Sequence, residues 1–331
     1  MAAEIVINAR AAARPELGGV ERWARVLRDR LPRLRPSRYA VAEPPAALSH
    51  RAGHAWEQGV LPVRSRGAKA LLNPANLAPL AFPRNVIVIH DAAALRNPAW
   101  YSGAYAAWQA RVLPAVARRA LHVVTVSEFS RREIVELLHV APDRVAVIPG
   151  GVDPRFHPGA RTAPRERPYV LCVASATARK NLAALEPAAE ALARDGVELV
   201  VAGGGRPQFA AEQGLEGLTL LGHVDDADLP GLYAQAKAFV LPSLHEGFGL
   251  TAVEAMASGT PVVTTTAGAL PDTTGGAALL VEPEPEALRE GLAAALADPE
   301  PWRAAGLARA KHFSWDRTVR ELDTLLSALV P

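Results

Sequence analysis

The chain has a single cysteine, Cys172. It has no partner for an internal disulfide, so a disulfide framework of the secreted kind is excluded and a cytoplasmic location is expected. Its place inside the apolar run YVLCVAS marks it as a core side chain. Long apolar runs are missing as well, and MAAEIVINAR has no basic segment ahead of a hydrophobic one. Neither a signal peptide nor a transmembrane helix is therefore expected. Nine histidines and the one cysteine show no metal-ligand spacing, so no metal site is expected. The sequence also lacks a Walker lysine and a G-x-S-x-G elbow, and the acidic run Asp225-Asp226 after LTLLGHV reads as a cap for the next helix, not as a DxD-like metal motif. The GGG run at 203–205 does not have the G-x-G-x-x-G spacing of a nicotinamide site. Lysine is scarce: Lys69, Lys180, Lys237 and Lys311 are the only four among 36 basic residues.

What is present is globular. Of 331 residues, 50% are hydrophobic and 21% charged, enough chain for about two domains with real cores. Residues 1–158 carry 22 Lys or Arg and 12 Asp or Glu, a net of +10, whereas the remainder carries 14 and 22, a net of −8. The basic half suits a phosphate-bearing or membrane-surface partner, or is simply a solvated arginine-rich surface. Short apolar runs alternate with helical patterns: EIVINA, a helix over about Gly19 to Leu34, NVIVIHD, HVVTVS and RVAVIPGG. Then come YVLCVAS, VELVVAGGG, LTLLGHV, AFVLPS, TPVVTTT and AALLVE. Continuous apolar strands separated by helices predict parallel sheets covered on both faces, hence two Rossmann-like domains of α/β class. The Pro- and Gly-rich stretch PGGVDPRFHPGARTAPRERPYV reads as the linker, and domains over 1–158 and 159–312 are predicted. Ligands are expected at the carboxyl ends of the strands, with a cleft between the domains as the default site.

Four stretches carry candidate chemistry. Gly18 and Gly19 open the first helix, where backbone N–H groups can approach an anion or a sugar hydroxyl, although a plain structural turn fits equally. His90-Asp91 ends an apolar strand, as a ligand-binding pair or as a capping aspartate beside a satisfied histidine. Arg179, Lys180 and Asn181 follow the strand YVLCVAS and open a predicted helix, where two cations would otherwise be unfavourable; they read as a diphosphate clamp. In PSLHEGFGLTAVEAMASG, Glu246 sits in a loop with Gly247, Phe248 and Gly249, and the helix that starts at Leu250 carries Glu254 one turn on. Two carboxylates spanning that distance can hold hydroxyls of a sugar and a ribose.

Together these residues resemble a retaining glycosyltransferase of family 4, of GT-B fold. The resemblance is carried by GGVER at 18–22, IHD at 89–91, VSEFSRREI at 126–134, VIPGGVDPRFHP at 147–158 and ARKNL at 178–182. It continues through LLGHV at 220–224 and PSLHEGFGLTAVEAMASGTPVV at 242–263. FSWDRTVREL at 313–322 resembles the closing helix that in this fold crosses back to the N-terminal domain, giving a third segment over 313–331. The resemblance implies that Arg179 and Lys180 hold the donor diphosphate, that Glu254 holds the ribose, and that Glu246 with the Gly247–Leu250 backbone engages the transferred sugar and phosphate. It further implies that His90 contacts the sugar, that Gly18 and Gly19 touch the diphosphate or the acceptor, and that His223 and Val224 flank the base. Ala174-Ser175 stand where many members have Gly-Arg, which is similar to the mannosyl- and rhamnosyltransferases of surface-polysaccharide assembly. The implied donor is a nucleotide diphosphate sugar, GDP-mannose first, with no cofactor and no nucleic acid. The implied acceptor is a glycan or a lipid-linked sugar. The helix ERWARVLRDRLPRLRPSR, with an apolar stripe of Trp23, Leu27 and Leu31, suits an anionic membrane surface or an ordinary domain face. The alternatives from other classes are a silent sugar-nucleotide-binding module and a nucleotide-sugar epimerase. A phosphorylase would need a cofactor lysine, and neither Lys237 nor Lys311 has a supporting motif.

Overall fold

A computed structural model of the chain describes residues 3–14, 18–48, 52–204, 215 and 217–331. The chain forms two compact units: Met1–Arg96 with Ala107–Gly150 and Trp315–Pro331, and Asn97–Ala106 with Gly151–Ser314. The first holds β1 (Ile5–Asn8), β2 (Tyr39–Ala42), β3 (Ala70–Asn73), β4 (Asn85–Val88), β5 (His122–Thr125) and β6 (Val145–Val147), in the order β2-β1-β3-β4-β5-β6. The second holds β7 (Tyr169–Val173), β8 (Glu198–Ala202), β9 (Thr219–Gly222), β10 (Ala238–Leu241), β11 (Val262–Thr265) and β12 (Leu279–Val281), in the order β12-β11-β10-β7-β8-β9. Among the described residues every strand pairing is parallel.

The period of two along each strand explains the layering. In β7 and β10, Tyr169, Leu171, Phe239 and Leu241 enter one core, while Val170, Cys172, Ala238 and Val240 enter the core on the opposite face. Cys172 is fully buried there. Each sheet also has a point where the strand order reverses, beside β1 in the first unit and between β7 and β10 in the second. Loops leaving neighbouring strands toward opposite faces open a crevice at such a point.

The structure differs from the sequence reading in several places. β2 and β3 lie outside the runs named above: β2 is a four-residue edge strand, and Ala-Leu-Leu-Asn has no β-branched residue. The units meet at Gly150/Gly151, not at 158, because Gly151–Pro158 packs with the second unit. There Val152 N–H donates to the Phe313 carbonyl at 3.3 Å, and the Phe156 ring meets Tyr233 edge-on at 5.7 Å. Asn97–Ala106 also belongs to the second unit. Of the GGG run, Gly205 lies outside the described residues.

The first helix spans Gly19–Leu34, and its apolar stripe is spent on the core. Trp23, Leu27 and Leu31 are buried, and Trp23 meets Trp315 edge-on at 5.7 Å. That stripe offers no face to a membrane. The C-terminal helix Trp315–Leu329 packs in the first unit through Trp315, Leu322 and Leu326. Polar contacts fix its far end: Tyr39 donates to Asp323 at 2.6 Å and Arg38 to the Val330 carbonyl at 2.8 Å.

Candidate active site

In the second unit, the loops after β7 and β10 meet at the reversal point. The first forms a 3₁₀ turn, Ala178–Lys180, closed by Asn181 with φ +54°. The α-helix begins only at Glu186. Arg179 and Lys180 are therefore not at a helix N-terminus, and the dipole argument drawn from the sequence does not apply to them. Hydrogen bonds to the loop after β10 place them instead. Leu244 N–H donates to the Arg179 carbonyl at 2.9 Å, and the Asn181 amide donates to the carbonyls of Pro242 at 3.2 Å and Pro283 at 3.0 Å.

Both cations converge on Glu246. Lys180 Nζ donates to Oε1, Ser243 donates to the same oxygen at 2.7 Å, and Arg179 Nη1 lies 3.5 Å from Oε2. The same Arg179 nitrogen donates to the His245 carbonyl at 2.5 Å. The side chains of Arg179, Lys180 and Glu246 are only 12%, 12% and 10% exposed. Burial by itself would raise the Glu246 carboxyl, but the charges of Lys180 and Arg179 and the hydrogen bonds from Lys180 and Ser243 together hold it at about 2. Burial depresses the Lys180 ammonium, with Glu246 opposing. With both bases protonated, the cluster sets two cations against one carboxylate, a surplus of one positive charge.

Glu246 leads into the turn Gly247–Gly249 and the helix Leu250–Ala257, where Gly249 takes φ +89° and a Cβ would lie 2.6 Å from Leu270 Cδ2. Gly268 is equally constrained: at φ +66° a Cβ would stand 2.4 Å from the Glu246 carbonyl oxygen, which accepts from Ala269 N–H at 2.9 Å. Gly268→Ala is expected to cost about 2–3 kcal/mol of stability, with turnover falling as the Glu246 loop shifts, whereas Gly67→Ala, in open space, should stay within about 0.5 kcal/mol. Urea denaturation of the two variants checks this.

The other residues named from sequence are placed as follows. Phe248 is half-buried and meets Phe313 edge-on at 5.4 Å. Glu254 is buried inside the helix, its Oε2 accepting from the Tyr233 hydroxyl at 3.2 Å. His223 is exposed and Val224 half-buried after β9, two strands from β7 and so about 10 Å along the sheet. Asp226, after the same strand, pairs with Arg155. Sequence reading missed Ser243 and Thr265, whose hydroxyl donates to the Ser243 carbonyl at 2.6 Å. Both are small polar residues at strand ends, a signal too common to single out.

His90, Gly18 and Gly19 belong to the first unit. His90 follows β4 and is 8% exposed; its Nε2 donates to the Pro74 carbonyl at 3.0 Å, which leaves Nδ1 as an acceptor. Burial keeps the imidazole below its usual pKa, against the Pro74 carbonyl and the charges of Asp91 and Glu21. The ring meets Trp23 edge-on at 5.7 Å, so the helix opened by Gly18 and Gly19 lies beside it. Gly18 N–H donates to Glu21 at 3.1 Å, and Asp91 accepts from Ala93 N–H at 3.2 Å, capping the next turn.

The Glycosyltransferase Family 4 profile matches residues 17–156, and the Glycosyl transferases group 1 profile matches residues 167–298. O-antigen chain mannosyltransferase B of Escherichia coli is 32% identical over 265 residues, covering 72% of this chain and 68% of that protein. The chain belongs to glycosyltransferase family 4. This glycosyltransferase is also 34% identical over 166 residues to the MMP alpha-(1->4)-mannosyltransferase of Mycolicibacterium hassiacum, covering 48% of this chain and only 40% of that protein. Its fold is the GT-B fold: sucrose-phosphate synthase of Thermosynechococcus elongatus superposes with a TM-score of 0.78 at 19% identity, over 98% of both chains.

Proposed function

We propose that the enzyme transfers a hexose, mannose first, from a nucleotide diphosphate sugar, GDP-mannose first, to a hydroxyl of a glycan or lipid-linked acceptor. The transfer proceeds with retention and without a divalent metal. The observation that carries this reading is the convergence of Arg179 and Lys180 on Glu246 at the β7/β10 reversal point, ahead of the Gly247–Gly249 turn. The mannose assignment draws on the two mannosyltransferase relatives.

In this reaction the bond from the anomeric carbon to the phosphate oxygen breaks while the acceptor hydroxyl oxygen bonds to the same carbon from the same face. The departing diphosphate gains negative charge, and the surplus cation of the cluster, with the backbone N–H groups at the start of the helix Leu250–Ala257, stabilises it. The departing phosphate oxygen takes the acceptor proton. Glu246 stays ionised and holds the two cations and a sugar hydroxyl in place, without forming a bond to the sugar. Glu254 faces the ribose through a carboxylate shared with Tyr233, and His223 with Val224 flanks the base; in the first unit, His90 keeps a neutral Nδ1 acceptor and Gly19 a backbone N–H for the sugar or the acceptor, whereas the Gly18 N–H is already taken by Glu21. Product analysis tests this. With GDP-mannose, a mannose-terminated oligosaccharide and excess EDTA, a new α-anomeric proton signal is expected. A β-linked product, loss of turnover in EDTA, or donor epimerisation without transfer would overturn it.

No described helix is long and apolar enough to cross a membrane. With the stripe of the first helix buried, attachment to an anionic membrane surface is expected to rest mainly on charge, through exposed arginines such as Arg33. Binding to anionic vesicles is then expected to vanish at about 0.5 M salt, where charges more than a few ångströms apart are screened. Co-sedimentation that persists there would require an apolar face.

A further inference from the structure

Aromatic residues make up only 5% of the chain, yet Trp100, Tyr101 and Tyr105 fall within six positions. All three are half-buried, and all belong to the second unit, the one that holds the Glu246 cluster. Resting on the glycosyl-transfer reading above, we propose that these three rings form a subsite for a sugar ring of the acceptor.

Three observations support the assignment. The first is position. The Trp100 ring lies 6.0 Å from the ring of buried His245, whose carbonyl accepts from Arg179 and whose neighbour is Glu246. The aromatic segment is thus continuous with the loop that carries the proposed catalytic cluster. The second is order. Asn97 accepts from Ala99 N–H at 3.2 Å, and Tyr101 N–H donates to the Pro98 carbonyl at 3.1 Å, which fixes the turn Pro98–Trp100. Tyr101 and Tyr105 then stack one helical turn apart, 5.5 Å between centroids and 21° between planes. Rings held this way lose little conformational freedom when a ligand arrives.

The third is chemistry. From Asn97 to Ala110 the sequence has no charged residue, although it lies in the basic half of the chain. Beside the rings in sequence are the small exposed residues Ala99, Ser102, Gly103 and Ala104. An aromatic segment with no charge of its own does not suit a diphosphate or an anionic lipid headgroup, both of which need cations. It suits a sugar ring, which offers an apolar C–H face to an aromatic plane and hydroxyls at its edge to tyrosine and serine. Ring contact gives affinity, and the hydroxyls around it select the acceptor sugar.

The test uses the full chain loaded with GDP and a panel of neutral trisaccharides ending in mannose, glucose, galactose or N-acetylglucosamine, followed by saturation-transfer NMR. At least one trisaccharide is expected to bind. Trp100→Ala and the double variant Tyr101→Ala/Tyr105→Ala should each weaken it about tenfold or more, Trp100→Phe should stay within about threefold, and GDP affinity should be unchanged in all of them. If Trp100→Ala unfolds, the tyrosine pair carries the test. GDP binding with no trisaccharide binding, or trisaccharide binding that survives the substitutions, would overturn the subsite and leave the donor reading standing. Equal loss of GDP and trisaccharide would make Trp100 a support for the His245 loop and overturn it too. A wild-type chain that binds no GDP would overturn both readings.

Discussion

Replacing Lys180 by methionine is expected to lower turnover about 10²–10³-fold, the usual cost of removing one group that stabilises developing negative charge in a closed site. Methionine keeps most of the volume and removes only the charge. Because the interaction strengthens as the diphosphate departs, kcat and kcat/KM should fall together, with KM little changed. From sequence alone, little loss of folding is expected when Lys180 is replaced, and the structure reverses that expectation. Lys180 is buried against Glu246, so its loss leaves a buried carboxylate with Arg179 and Ser243 as its remaining named partners. Removing one partner of such a pair costs about 3–5 kcal/mol, so the variant should unfold at visibly lower urea concentration. Turnover is therefore to be read at a temperature where circular dichroism shows the folded state, with Lys180→Arg beside it to restore charge and most of the stability. A folded Lys180→Met enzyme with near-wild-type kcat would remove the clamp from the mechanism.

Glu246→Gln is expected to be nearly as damaging, through a different route. The carboxylate holds two cations that would otherwise repel each other in a poorly solvated site, so the amide should cost turnover about 10²-fold or more and destabilise the fold. The pH dependence separates this from a role as proton carrier. The folded carboxyl sits at about 2, below its ordinary value of 4.5. A carboxyl depressed in the folded state stabilises fully above its unfolded value and loses that contribution as pH falls toward the folded one. The stability gap between wild type and Glu246→Gln should thus be constant above about pH 5 and shrink between about 4.5 and 2, as urea midpoints along that series will show. The group does not titrate near neutrality. An acid limb of kcat near pH 6 that disappears in Glu246→Gln would show the carboxyl exchanging protons and contradict the account.

Much of the second unit was legible because its strands are buried on both faces and therefore read as unbroken apolar runs, from YVLCV to VVTT. The same property failed for β2, a half-exposed edge strand, and for β3, built from helix-favouring Ala and Leu. The residues of the cluster were legible as types. Their geometry was not, since a lysine that follows a strand looks the same whether it begins a helix or, as here, sits on a 3₁₀ turn stopped by Asn181 in a left-handed conformation. Nor does sequence show that both cations share one carboxylate, because Glu246 lies more than sixty residues away and the contact exists only where β7 and β10 are neighbours. The first helix gives the opposite lesson. Its extent was plain from periodicity, but an amphipathic stripe does not reveal whether a core or a membrane covers it, and Trp315, near the other end of the chain, helps to decide that for Trp23.

In the proposed reaction Arg179 and Lys180 are expected to receive a nucleotide diphosphate sugar without help from a metal. The most direct measurement is the thermal shift of the full chain in EDTA against GDP-, UDP-, dTDP- and ADP-sugars, repeated with magnesium or manganese and with Lys180→Met. A ligand at about a hundred times its dissociation constant adds roughly 2.7 kcal/mol, enough to resolve. The account predicts a rise in melting temperature confined to one nucleotide, GDP first, present in EDTA and lost in Lys180→Met. A shift that appears only after metal is added, or one that Lys180→Met retains, would contradict it.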